Sequence, residues 1–444
     1  MRGNTHTNRT PFLTDLDPNA TVKGSRDPLS VQPIWARLGR GIVGNLTTVS
    51  TSPRDFTVLI LGYYFAERSA DGAAEPEDGD LGVFLRWEQL AAYARGGVLN
   101  DWTFRGTERA RKNWSERGRL VLAGEGEAQI LSKQRTYGLW GLYTGPARSS
   151  GLVEGDPTRL TAAARGLVEE VYLPTLTAAG IRNGDEIVRR LARRRVELDV
   201  HGRDGTFLAG VAKILDRKLG RKEREFLWKC LACGGDVDRT SGVQPVVAKR
   251  MASHRDLQDL GMSRSFTLEL AKRCRPHGIV GVMAAERLER CERAESVLAP
   301  AAVLFGHLLH ADGQTLGEVA TGVRRRWGSR VRRIEPDRVA EIERDLGDAS
   351  TNSGVGARWV EIARSLAEGN YGRSLSLLLE QNAHVMRTRS GGAPWVDIQD
   401  GRLRVRLREE AREDLPERGE LADYWRHSYF IDSLYVVASA TGAA

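Results

Sequence analysis

Apolar residues recur along this chain mostly at three- and four-residue spacing, the period of an amphipathic helix. After Asp27-Pro28, a pairing that suits a helix N-cap and first helical position, Val31, Ile34, Trp35 and Leu38 share one face. A second stripe of Phe56, Leu59, Ile60 and Tyr63 follows Ser52-Pro53, and a third helix over about 82–95 would bury Phe84, Trp87, Leu90 and Tyr93. Two helices are expected within 183–234, the first carrying Arg189, Arg190, Arg193, Arg194 and Arg195. More are expected over 246–299 with a break at Pro276-His277-Gly278, over about 299–311, over 315–327, and near 420–440. The pattern predicts a mainly α, multi-helix protein.

Alternating patterns are confined to two places. Over 394–408, Asp400-Gly401 stands between two extended runs, a strong two-residue hairpin signal. In its second strand Leu403, Val405 and Leu407 face one side, and Arg402, Arg404, Arg406 and Arg408 the other. Such an arginine face can track a phosphate backbone, or simply keep an exposed strand soluble. The other place lies between Ala128 and Tyr172. Ser132-Lys133-Gln134-Arg135 precedes a helix containing Tyr137, Leu139, Trp140, Leu142 and Tyr143, which Gly145-Pro146 ends. Leu152-Val153 and Arg159-Leu160 then flank a Gly-Asp-Pro turn, and Thr161 caps a helix through Leu167, Val168 and Val171.

Helix, hairpin and capped helix resemble the close of a winged-helix domain, so the expected architecture has a central winged helix-turn-helix and a C-terminal β-hairpin. In that family the helix before the wing enters the major groove. The resemblance implies that Lys133, Gln134, Arg135 and Tyr137 face DNA, with Arg159 on the wing. Winged helices also dock proteins, and this wing tip carries Glu154 and Asp156.

The 444 residues suit two or three domains. The expected division is a flexible polar N-terminus over 1–26, a helical domain ending in the winged helix over 27–175, a helical domain over 176–345, and a C-terminal helical segment with the hairpin over 346–444. A linker is expected at 346–356. Hydrophobic residues at 41% and charged residues at 28% are globular values, not those of a disordered chain. No apolar run approaches the length of a membrane span, and no leader-like apolar segment opens the chain, so a cytoplasmic protein without a membrane partner is expected.

Of 66 basic residues nine are lysine and 57 arginine, and the formal net charge is +8. Arginine forks suit phosphates and base edges, and the excess permits a nucleic-acid partner. Residues 98–119 are rich in Arg and Trp. The densest basic run, Arg324-Arg325-Arg326-Trp327 continuing to Arg333, offers one aromatic for base stacking. Arg189 to Arg195 lies beside Asp185 and Glu186, where intrahelical ion pairs are its simplest role.

Cys230 and Cys233 form a CxxC, and Cys274 with His277 a CxxH; together they hold four possible tetrahedral zinc ligands. Their separation exceeds ordinary finger spacings, and Cys230 sits in an apolar helical pattern, so no cofactor is expected. The chain has no GxxxxGK[ST] phosphate loop, no GxSxG elbow and no HExxH. A small-molecule substrate and an enzymatic role are therefore not expected.

Thr51-Ser52-Pro53-Arg54-Asp55-Phe56, the winged-helix segment and Trp425-Arg426-His427-Ser428-Tyr429-Phe430 together resemble uncharacterised bacterial proteins encoded beside anti-phage defence genes. That resemblance implies a subunit working with other proteins. The expected function is a non-enzymatic DNA-binding or adaptor subunit. The alternatives are a protein–protein scaffold docking through the winged helix, and a divergent nuclease.

Overall fold

The structure, a computed structural model, describes residues 27–70, 78–116, 118–200, 202–334, 338–349, 355–390, 392–407 and 414–442. The expected flexible N-terminus, Arg408 and residues 350–354 of the expected 346–356 linker lie outside these residues; the rest of that linker is helical, at the end of Val339–Ala349 and the start of Val355–Ala367. The protein is mainly α, with 64% helix and 6% strand. It has two compact units, neither a single stretch of chain. One comprises residues 1–39, 258–272 and 285–429; the other comprises 40–257, 273–284 and 430–444. Each unit gathers packing partners from distant parts of the chain.

The second unit is built around the helix Pro53–Ala70, which is buried on nearly all sides. Apolar residues all round are what a fully enclosed helix requires. It packs on Gly79–Tyr93, where Phe84, Trp87, Leu90 and Tyr93 are buried as the stripe predicts. Gly62 permits this approach: a Cβ there would lie 2.7 Å from the Phe84 ring. Trp87 Nε1 donates to the Val58 carbonyl at 2.8 Å across the same contact.

Among the described residues six strands form three antiparallel pairs: β1 (Arg119–Ala123) with β4 (Arg195–Asp199), β2 (Val153–Glu154) with β3 (Arg159–Leu160), and β5 (Val396–Gln399) with β6 (Arg402–Val405). β2–β3 is the hairpin read near residue 155, and Thr161 caps the next helix, accepting from Ala164 N–H. The helix Leu139–Ser149 precedes it. β1 and β4 correct the sequence reading. The arginine-rich helix ends at Leu191 and Arg195 opens a strand. The reason is a change of period: Val196 and Leu198 alternate inward opposite Leu122 and Leu120.

In the first unit, Leu316–Trp327 begins with a capping box formed by Thr315 and Glu318. Val339–Ala349, Val355–Ala367 and Tyr371–Ser390 complete its helical core around Trp327, Trp359 and Tyr371. The β5–β6 hairpin turns on Asp400 and Gly401, at φ of 52° and 77°, as a type I′ turn demands.

Several helix boundaries differ from expectation: the first helix opens at Gln32 and not at Pro28, and Leu139–Ser149 continues past Gly145-Pro146. Gly278–Leu308 runs through Pro300 without a break near 299. Proline costs a turn one hydrogen bond, and buried Val297, Leu298, Ala301, Val303 and Leu304 on either side outweigh it. Residues 422–430 are not helical; Tyr429 and Phe430 have φ of 47° and 61°, and the last helix is Ile431–Thr441.

Candidate nucleic-acid interface

The residues expected to read DNA do not share one fate. Lys133, Arg135 and Tyr137 are exposed around the one-turn helix Gln134–Tyr137. Gln134 corrects the expectation. It is fully buried, and its amide donates to Glu88 Oε2 at 2.8 Å and to the Leu85 carbonyl at 3.0 Å. Its own oxygen accepts from Gln89 Nε2 and Ile130 N–H. A buried amide must satisfy its donors and acceptor internally, so Gln134 anchors this turn and reads no base.

The anchor reaches a buried carboxyl. Glu88 Oε1 accepts from Leu139 N–H at 2.7 Å, at the start of the next helix. Burial pushes the Glu88 carboxyl up to about 7, and Asp55 adds to the rise; the Leu139 N–H and Gln134 amide hold it back. Beside it Arg95 donates to Asp55 at 2.7 Å and to Asp101 at 2.9 Å, with all three side chains buried. Burial raises the Asp55 pKa against the pull of Arg95. At Asp101 burial acts the same way, but the Thr103 hydroxyl and Arg95 outweigh it and lower the pKa. The cavity among Asp55, Glu88, Arg95, Phe104 and Arg105 holds 20 Å³, room for about one water and not for a substrate. This network fixes a surface.

The surface it fixes is basic. Asp101 receives Thr103 N–H and ties down the loop carrying Trp102 and Phe104. Arg105 Nε donates to the Tyr137 carbonyl at 2.9 Å, and Arg109 to the Gln129 carbonyl at 3.0 Å, so the two segments adjoin. Arg111 lies over the Trp102 ring at 5.1 Å. Arg105, Arg109, Arg111, Lys112, Lys133 and Arg135 are all exposed, and among the described residues none has a carboxylate within ion-pair distance. Glu108 and Glu116 stand at the two ends of the helix Thr107–Glu116. Sequence reading noted this stretch as Arg- and Trp-rich but gave it no role. The available signal was the cluster of cations with interleaved aromatics, Arg109 and Lys112 lying on the helix Thr107–Glu116 and Arg105 in the turn before it.

Of the other basic side chains expected to bind nucleic acid, all but Arg325 are held by their surroundings; Arg189, Arg193, Arg330 and Arg332 are exposed with no carboxylate within ion-pair distance among the described residues. Arg159 pairs with Asp80 at 2.5 Å, leaving Glu154 and Asp156 exposed at the hairpin tip. Arg326 pairs with Glu417 at 2.5 Å, and Arg324 donates to the Gly369 carbonyl; Arg325 is exposed. Trp327 cannot stack on a base: it is fully buried and donates to the Pro416 carbonyl. Arg406 pairs with Asp397 at 2.6 Å, Arg404 donates to Gln399, and Arg402 donates to the Gly313 carbonyl. Arg190 pairs with Glu186 at 2.6 Å, the intrahelical role expected of it.

No three His, Cys, Asp or Glu side chains gather as metal ligands among the described residues. Cys230 and Cys274 are buried, and burial pushes both thiols up to about 12. Cys233 is half-buried, its thiol also raised by burial, and His277 is exposed. No helix among the described residues is long and apolar enough to cross a membrane. A scan of protein-family models, a search of curated proteins and a search of solved structures each find no match to this chain.

Proposed function

We propose that the surface formed by residues 102–112 and 133–137 binds duplex DNA, and that the protein is a non-enzymatic recognition or adaptor subunit. One observation carries this reading. Six exposed cations, Arg105, Arg109, Arg111, Lys112, Lys133 and Arg135, gather on two adjoining segments with no carboxylate within ion-pair distance among the described residues. Unpaired cations are the ones that can release counterions from phosphate. Trp102, Phe104 and Tyr137 interleave them with aromatic surface.

The experiment is a titration of labelled duplex at low and physiological salt, followed by anisotropy. Arg111→Gln, Lys112→Gln, Lys133→Gln and Arg135→Gln are combined in one variant, since none of these side chains hydrogen-bonds the protein. The parent should bind at low salt, and the variant should bind at least about tenfold more weakly with an unchanged circular dichroism spectrum. A parent that ignores duplex at low salt, or prefers a hairpin RNA, overturns the reading. So does a variant that binds like the parent.

A second reading rests on the hairpin. Glu154 and Asp156 are exposed at its tip and Arg159 is spent on Asp80, so this hairpin suits a cationic protein partner better than a phosphate.

A further inference from the structure

On the proposed interface Tyr137 is 46% exposed, the one aromatic side chain so exposed among the described residues. Its ring stacks on no other ring, and its hydroxyl has no hydrogen-bond partner among the described residues. The backbone beneath it is fixed from both sides. The Tyr137 N–H donates to the Lys133 carbonyl at 2.9 Å, and its own carbonyl accepts from Arg105 Nε at 2.9 Å. The next residue, Gly138, donates its N–H to the Gln134 carbonyl at 2.7 Å, and a Cβ there would lie 2.7 Å from Glu88 Oε2. The turn is thus pressed onto the buried Gln134–Glu88 pair, and the ring is carried outward on a backbone pinned to the core.

Apolar ring surface left in water gains free energy when something covers it, and a ring on fixed backbone loses little freedom on being covered. The charges beside it select what covers it. Lys133 lies one turn before Tyr137, on the same face of the turn, and Arg135 lies between them. Both are exposed, and among the described residues neither has a hydrogen-bond partner or a carboxylate within ion-pair distance. A flat ring next to free cations matches a ligand that carries a flat π-face next to a phosphate, which is one nucleotide of a strand. Within a closed duplex each base face is covered by the neighbouring pairs, so a protein ring meets only edges and sugars. An unpaired base offers its face.

We propose that Tyr137 stacks on an unpaired base beside a duplex, so that the preferred DNA is a duplex with a single-stranded overhang. Lys133 and Arg135 meet the phosphates of the unpaired strand, and the cations of the helix Thr107–Glu116 meet those of the duplex. The inference rests on the DNA-binding reading of the same surface and narrows its ligand.

The test is a set of anisotropy titrations of the full chain at low salt. The probes are a blunt duplex, the same duplex with a short thymidine overhang at its 5′ or 3′ end, and the same duplexes with overhangs of abasic sugars. The abasic overhangs carry the same phosphates and no bases, so the difference between thymidine and abasic overhangs isolates stacking. At one end or the other, the thymidine overhang should bind at least about fivefold more tightly than the abasic one, the low end of what stacking one base contributes. Tyr137→Ala should abolish that difference, and Tyr137→Phe, which keeps the ring, should retain it. Tyr137→Leu keeps apolar bulk without a flat ring and should also abolish it; this variant decides if the alanine variant does not fold. If the parent binds the blunt duplex but binds thymidine and abasic overhangs alike, the stacking proposal is overturned and the DNA-binding reading stands. If no DNA binds, both fall. A difference that persists in folded Tyr137→Ala places the stacking on another residue and overturns the proposal.

Discussion

At the scale of single residues, Glu88 carries the clearest pH consequence. Its carboxyl titrates at about 7 in the folded protein, against 4.5 for an ordinary glutamate. The folded state therefore holds this proton more tightly than the unfolded chain does. The resulting stability is fully present below about pH 4.5 and is lost as pH rises through about 7. Two and a half units correspond to about 3 kcal/mol. The gap in unfolding free energy between the parent and Glu88→Gln should shift by that order between pH 5 and pH 8, in favour of the variant at pH 8. Urea titrations at both values measure it, and a gap independent of pH would count against a proton held at Glu88. Single residues also show what sequence alone leaves hidden. Gln134 sits between two exposed cations in a pattern that reads as a reading face. Only the position of Glu88 and Gln89 on another helix turns its side chain inward.

At the scale of elements, local chemistry was legible and distant pairing was not. Thr161, Thr315 with Glu318, and Asp400-Gly401 each fulfil their expected roles, because caps and two-residue turns are decided within a few residues. β1 and β4 escaped notice because each strand's partner lies far away in the sequence, Arg119 opposite Asp199 and Ala123 opposite Arg195. The segment 424–430 reads as helix by its aromatics, yet Glu295 on another helix captures its backbone N–H groups and holds it open. Long-range contacts of this kind also carry stability. Arg54 and Glu223 meet at 2.6 Å, both buried, and Thr57 and Tyr172 donate to the same carboxylate. Removing one member leaves a charge buried without its partner, so Arg54→Leu should cost about 3–5 kcal/mol, read from the denaturant midpoint. A loss below about 1 kcal/mol would mean that water replaces the guanidinium. Gly62→Val should destabilise by about 1–3 kcal/mol through the clash with Phe84, with a lowered Tm as the readout.

At the scale of the whole molecule, the excess of +8 matters less than where unpaired charge collects. Counting arginines favoured the β5–β6 hairpin and the run at 324–326 as phosphate contacts. The structure gives Arg404 and Arg406 the side chains of Gln399 and Asp397, and gives Arg326 that of Glu417. A cation already paired brings its own carboxylate toward the phosphate, so it releases less counterion and adds less to the salt dependence of binding. Lys133 and Arg135 have no such neighbour. The two sets therefore predict different salt slopes for duplex DNA. Replacing Lys133 and Arg135 together with glutamine should lower the slope of log affinity against log salt by about one unit per lost phosphate contact. Replacing Arg404 and Arg406 together should leave it near the parent value. Both variants should fold, since these side chains lie outside the buried set around Leu403 and around Gln134. Anisotropy titrations across four salt concentrations, with the three proteins side by side, provide the measurement. If the hairpin variant loses the slope and the Lys133–Arg135 variant keeps it, DNA is held by the paired arginines, and the proposed interface is in the wrong place.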